Sequence, residues 1–296
     1  MGCLFGIDKK CIPYQYRFYL LNVEYLFIKS IIRSDQKVTI FSIIGLASLV
    51  SGFLSGLVGI GGGIIMAPIL IFLPAWVGLE PLSMKVIAGL TIMQGLIGCL
   101  FGAMHHKKFN FVSGQLIFHM GIPIFLMSFL GGYLSRFVSN TLLLILFATL
   151  ALAAAILIFI PVRGDSESPD VNQLKFKKVR AFAASASVGL LGGMVGQGGS
   201  FILIPLMTSY VQIPTRIAIG SNLAIVTMST SAGFLGKAIS GQIEWWYTLP
   251  ILIATIPATY IGSLASKSVS FVWLKRILAF LIAVAAVRIW ISILWP

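Results

Sequence analysis

The sequence predicts an all-α, polytopic membrane bundle of two repeats, each with five apolar segments that include a glycine-broken half-helix. Three observations lead there. Hydrophobic residues make up 58% of the chain and charged residues 10%, with a mean hydropathy of +1.00, too little polar surface to cover a water-soluble fold. Long apolar runs alternate with short charged loops. In lipid only helices or closed barrels satisfy the backbone, and these runs are longer than barrel strands. Finally, one stretch occurs twice, as GFLSGLVGIGGGIIMAPIL at 52–70 and GLLGGMVGQGGSFILIPLM at 189–207.

The formal charge of +13 comes from 21 Lys and Arg against eight acids. The basic residues sit mainly in loops and at segment ends. That is ordinary membrane topology or contact with anionic lipid, and it argues against nucleic acid as a partner. Cys3, Cys11 and Cys99 have no metal-ligand spacing, and the three histidines are too scattered for a metal cluster. No metal or other cofactor is expected.

Residues 1–36 form an N-terminal tail. Arg17, Glu24 and Lys29 interrupt its apolar runs, so it does not read as a clear signal peptide; Tyr14, Tyr16, Phe18, Tyr19, Tyr25 and Phe27 between charges fit either an interfacial helix or a partly ordered tail. The first repeat is placed at 37–160. Its first segment, near Val38–Val58, lines Gly45, Ser48, Gly52, Gly56 and Gly59 along one face, which lets a second helix approach closely. After the glycines, Ile64 to Leu73 forms an apolar run stopped by Pro74. Ten to fifteen helical residues span roughly 15–22 Å against about 30 Å of hydrocarbon. Three longer segments follow, near Lys85–His105, Phe111–Ser135 and Thr141–Ile160.

A polar linker at 161–180 holds three of the eight acids. The second repeat, 181–296, has the same order: a segment near Val179–Val195, a short piece at Ser200–Ile213 ended by Pro214, then Ile217–Lys237, Trp245–Ser266 and Phe271–Leu294. Through the short pieces the copies align at an offset of 137, which sets Gly52, Gly56, Gly61, Gly62 and Pro68 on Gly189, Gly193, Gly198, Gly199 and Pro205. Beyond them the offset is 131, with Lys85 on Arg216, Gly89 on Gly220, Gly102 on Gly233 and Arg136 on Lys267; Pro123 is set beside Pro257. Five crossings per half, or three with a re-entrant hairpin, invert the second repeat relative to the first. A broken pair that crosses once makes the repeats parallel. Lys and Arg bias is mixed, and the orientation chosen puts 161–180, Lys107, Lys108, Lys267, Lys275 and Arg276 inside.

The chemistry concentrates in the repeated element. Consecutive glycines make a poor helix, each costing about 1 kcal/mol relative to alanine, and bare backbone at membrane depth lines a cavity or is covered by protein. The helix that starts after each cluster aims its free N–H groups and positive dipole end at the glycines, an anion site with no full charge. The candidate substrate-binding residues are therefore Gly59, Gly61, Gly62 and Gly63 with Gly196, Gln197, Gly198, Gly199 and Ser200. Thr91, Gln94, Ser221 and Asn222, at the openings of the third segments, add hydroxyls and amides; interhelical hydrogen bonding is the other reading of each. All eight acids lie in the tail, linker or loop ends, whereas a cation transporter needs a carboxylate inside the bundle. Protons are a candidate coupling ion, with His119 inside a span. An intramembrane enzyme would have only His105, His106 and Ser113 to work with, and no triad or metal spacing supports it. A channel or scaffold without coupled transport is the remaining alternative.

The paired GLVGIGGGIIMAPIL and GGMVGQGGSFILIPL, followed by IAGLT and AIGSN, resemble the TauE/SafE sulfite exporter family over residues 38–293. The resemblance implies a multi-pass permease of the cell membrane, the inner membrane in a Gram-negative bacterium, that moves sulfite, organosulfonates or related sulfur-containing anions. The chain differs from the family pattern at Gln197 and Ser200, at the Leu-Thr and Ser-Asn pairs opening the third segments, and in its aromatic tail.

Overall fold

Lipid offers no partner to an exposed amide, so the spanning backbone must close its own hydrogen bonds. The computed structural model of the chain describes residues 36–57, 61–105, 112–159, 174, 176–265 and 271–295, and among them it has helices and no strand. In chain order these are α1 (Gln36–Leu57), α2 (Gly63–Trp76), α3 (Met84–His105), α4 (Gly114–Leu134), α5 (Asn140–Phe159), α6 (Lys178–Val195), α7 (Ser200–Ser209), α8 (Thr215–Ile239), α9 (Trp245–Ala265) and α10 (Phe271–Leu294). The tail up to residue 35, Gly59 and most of the polar linker lie outside the described residues.

Two compact units are distinguished, 1–42 and 43–296. In the first, the described residues are the opening of α1, 36–42. The second holds the rest of the helical bundle and every candidate site residue.

Among the described residues six helices, α1, α3, α4, α5, α8 and α9, are long and apolar enough to cross a membrane. Large apolar side chains such as Phe118, Leu126, Ile156, Ile253 and Val284 stay exposed on the outer faces, as expected of surface that meets lipid tails. α2 and α7 are short, at 14 and 10 residues, or about 21 and 15 Å. Neither reaches across the hydrocarbon at that length.

The short helices end differently from the sequence expectation. α2 continues through Pro74 to Trp76, since a proline removes one amide bond and bends a helix before it stops it. α7 ends at Ser209, four residues before Ile213. There the N–H groups of Tyr210 and Val211 return to the Leu206 carbonyl at 3.0 and 3.2 Å, and that of Ile213 to Met207 at 3.0 Å. The hydroxyls of Thr208 and Ser209 add bonds to the Pro205 carbonyl, at 3.1 and 2.5 Å.

The small-residue faces explain how the repeats pack: the first helix of each repeat lies on the fourth helix of the other. On α1, a Cβ added at Gly52 would meet Thr255 Cα at 3.1 Å, and one at Gly56 would meet the Thr259 carbonyl carbon at 2.9 Å, both on α9. On α6, added Cβ atoms at Gly189 and Gly193 would meet Ile124 O at 2.7 Å and Ser128 Cα at 2.9 Å, both on α4. The partner helices reciprocate, Gly262 against the Phe53 and Leu57 backbone and Gly131 against that of Leu190 and Met194. Every pair maps onto its counterpart at offsets of 137 and 131. Pro123 therefore corresponds to Ala254, and the pairing with Pro257 is corrected by three residues; prolines attract a sequence match, but the backbone approach at the glycines sets the register.

Candidate functional site

The two glycine clusters come together, each followed at once by a helix start. Gly62 and Gly199 are the N-cap residues of α2 and α7, at φ 55° and 74°, a left-handed conformation that a β-carbon disfavours. Neither start has a side-chain cap. The α2 start is closed by the amides of Ile65 and Met66 on the Gly62 carbonyl, at 3.1 and 3.4 Å; the α7 start is closed by those of Ile202 and Leu203 on Gly199, at 3.2 and 3.1 Å.

Contacts at the clusters join the halves. An added Cβ at Gly61 would lie 3.0 Å from Cys99 Sγ and 3.3 Å from Ser200 Cβ; one at Gly63 would lie 2.9 Å from Gln197 Oε1 and 3.1 Å from the Thr91 carbonyl. The start of α2 thus lies against the start of α7 and the turn before it. α3 and α8 wall the junction, with Ala88 packed on Gly196 and the Thr230 methyl 2.5 Å from a Cβ at Gly198.

The junction holds buried polar groups without protein partners. Gln94, Gln197, Ser200 and Ser55 are 0, 3, 1 and 2% exposed there, and Asn222, on α8, is 1% exposed. Both side-chain polar atoms of Gln94 and of Gln197, the hydroxyls of Ser55 and Ser200, and the Asn222 carbonyl oxygen have no hydrogen-bond partner within the protein. A buried polar group left unpaired costs about 1–3 kcal/mol, so such a cluster calls for an explanation. Gln94 Nε2 would be 2.5 Å from a Cβ at Gly62, and Ser55 Cβ 3.0 Å from it, which puts both beside the start of α2.

Two other predicted residues are engaged in packing. Thr91 is buried, and its hydroxyl lies 2.9 Å from the Ile87 carbonyl and 3.0 Å from that of Gly196, tying α3 to the second cluster. The Ser221 hydroxyl accepts the Ser113 amide at 3.0 Å, at the N-cap of α4.

Comparison with known proteins gives the family. The family model described as "Sulfite exporter TauE/SafE" matches residues 44–289, most of the chain. The chain belongs to the TauE/SafE family. Curated relatives include "Probable membrane transporter protein YunE" of Bacillus subtilis, 25% identical over 243 residues, with 75% of this chain and 85% of that protein covered. A "Probable membrane transporter protein" of Methanocaldococcus jannaschii is 25% identical over 230 residues, covering 75% and 84%, and one of Xylella fastidiosa is 26% identical over 255 residues, covering 84% and 94%. No solved structure matches. The chain is thus a multi-pass membrane transporter, with a small-molecule substrate and the lipid bilayer as its partners, and not an enzyme.

In this TauE/SafE chain Lys237, which the sequence shows only as the end of an apolar segment, has a further place. Its side chain is fully buried, and Nζ donates to Ser135 Oγ at 2.8 Å and to the Met194 carbonyl at 3.1 Å. Ser135 Oγ in turn lies 2.9 Å from Gln242 Oε1, and Gln242 Nε2 donates to the Gly132 carbonyl at 3.0 Å. The ammonium thus binds a carbonyl at the C-terminal end of α6, where a cation complements the helix dipole, and joins α4, α6 and α8. Its place two turns after Thr230 on one helix face was the available signal.

Proposed function

We propose that the protein is a secondary transporter of small sulfur-containing oxyanions, sulfite and organosulfonates foremost, which it holds between the two glycine-led helix starts. The observation that carries this reading is the junction itself: two helix N-termini meet where buried amides and hydroxyls lack partners. Free N–H groups, dipole ends and side-chain amides are the groups that bind an oxyanion in place of water. The substrate-contacting residues in this reading are Gly61–Gly63 and Gly196–Ser200 with Gln94 and Asn222, while Gly59 is included by its place in the motif. Thr91 and Ser221 position the surrounding helices.

The two halves, 37–160 and 181–296, are proposed as inverted repeats that rock about the junction and expose it to each side in turn. Exchange of the first helices between repeats supports a motion in which α1 moves with α9 and α6 with α4. Protons are the proposed coupling ion. The described acids, Glu80 and Glu244, are exposed and lie outside the helices.

Purified protein in liposomes tests this reading through the flux of sulfite, methanesulfonate, thiosulfate and sulfate. At least one singly charged sulfur oxyanion is expected to move, with Gly62→Leu and Gly199→Leu abolishing the flux. Failure of every anion to move, with the protein folded and inserted, rejects the function; flux indifferent to both substitutions rejects the site.

A further inference from the structure

We infer that the junction admits singly charged oxyanions and excludes doubly charged ones, so that sulfite crosses as hydrogen sulfite, HSO3−, with its proton attached. The inference rests on the proposed anion site and concerns which charge state fits it.

Among the described residues, the groups that crowd the clusters are neutral, Ser51, Ser55, Gln94 and Cys99 on one side and Gln197 and Thr230 on the other. Two cations with described side chains are turned elsewhere, the half-buried Lys85 with Nζ on the Arg136 carbonyl at 2.7 Å and the buried Lys237 with Nζ on Ser135 and Met194. The positive potential at the junction therefore comes from helix ends, each equivalent to roughly half an elementary charge. Two such ends balance about one negative charge. The cost of taking an ion out of water rises with the square of its charge, so a dianion meets about fourfold the penalty of a monoanion.

The polar groups are unevenly shared between the repeats. Ser51, Ser55 and Gln94 surround Gly62, whereas their counterparts in the second copy are Val188, Gly192 and Ile225; Gln197, beside Gly63, has Ile60 as its counterpart. The hydrogen-bonding half of the cradle is thus the α2 start. It offers acceptors as well as donors: Ser51 O would be 2.5 Å and Gln197 Oε1 2.9 Å from Cβ atoms added at Gly62 and Gly63. A carbonyl oxygen receives the O–H of a protonated oxyanion and repels the bare dianion. Release on the far side completes the exchange, HSO3− giving SO3²− and H⁺ in water at a pH above the second dissociation of sulfurous acid. One proton then accompanies each sulfite without any carboxylate in the bundle.

Proteoliposome flux of sulfite relative to methanesulfonate, a monoanion throughout the neutral range, tests the inference because their ratio cancels any titration of the protein. The ratio is expected to fall about tenfold from one pH unit below to one unit above the substrate's second pKa, as the hydrogen sulfite fraction does. Sulfate is expected to move at less than about a tenth of the methanesulfonate rate. A flat sulfite ratio, or sulfate moving as fast as methanesulfonate, overturns the inference and leaves the anion-permease reading standing. Absence of flux for both sulfite and methanesulfonate overturns the permease reading and the inference together.

Discussion

Replacing Gln94 by isoleucine gives the first repeat the residue that the second already carries at Ile225. The change is close to neutral for packing, because Gln94 makes no hydrogen bond within the protein, but it removes an amide from the α2 start. Gln94→Ile and Gln197→Ile are each expected to cut sulfonate flux about tenfold or more, the value of one hydrogen bond to a charged group, with the amount of inserted protein unchanged. Unchanged flux in both would assign the amides to packing. Gly199→Ala is expected to act on stability instead. It puts a β-carbon on a residue at φ 74°, against the Val188 side chain, and should lower the melting temperature in detergent by an amount equivalent to about 1 kcal/mol or more. At this scale the sequence was partly informative. Gln94, Gln197 and Asn222 were visible as polar residues in apolar surroundings. Ser55 was not, since a serine beside a stripe of small residues reads as packing. Ser221 adjoins Asn222 in the sequence, but successive helical residues point about 100° apart, and its hydroxyl bonds the Ser113 amide, the interhelical reading.

Among the elements, the short helices were legible and their ends were not. Glycine clusters and prolines announce where a helix breaks, but α7 stops at Ser209 because its last carbonyls find hydroxyls and loop amides. That depends on the local fold more than on any one residue. The crossing of α6 over α4 could not be read from the stripe of glycines on α6, which shows that a neighbour comes close without naming it. Lys237 secures this part of the bundle. Lys237→Met is expected to destabilise the protein by about 1–3 kcal/mol, by leaving Ser135 and the Met194 carbonyl short of a donor. Thermal unfolding in detergent measures the loss, and a melting temperature equal to that of the parent would show that the ammonium contributes nothing net.

For the whole molecule, composition and the length of the apolar runs dictated an all-helical membrane fold, because the other structure that satisfies the backbone in lipid, a closed barrel, has shorter strands. The duplication was equally plain, and the contacts follow it: α1 on α9 repeats as α6 on α4. Opposite orientation of the halves is a separate proposal with its own test. The loops after α2 and α7 occupy equivalent places, and Ser83 and Gln212 are exposed there. Single cysteines at these positions, in a chain whose own cysteines have been replaced, should react with impermeant thiol reagents from opposite sides of the membrane. Reaction from one side would make the repeats parallel and dismiss the rocking scheme.

The central claim is that an oxyanion sits where the two glycine-led helices begin. A density map of the protein in lipid with methanesulfonate bound tests it most directly. The account predicts density for the sulfonate group against Gly61–Gly63, within hydrogen-bonding distance of Gln94 and Gln197 and facing Ser200. A sulfonate found elsewhere in the bundle, with the junction still closed on itself, would contradict it.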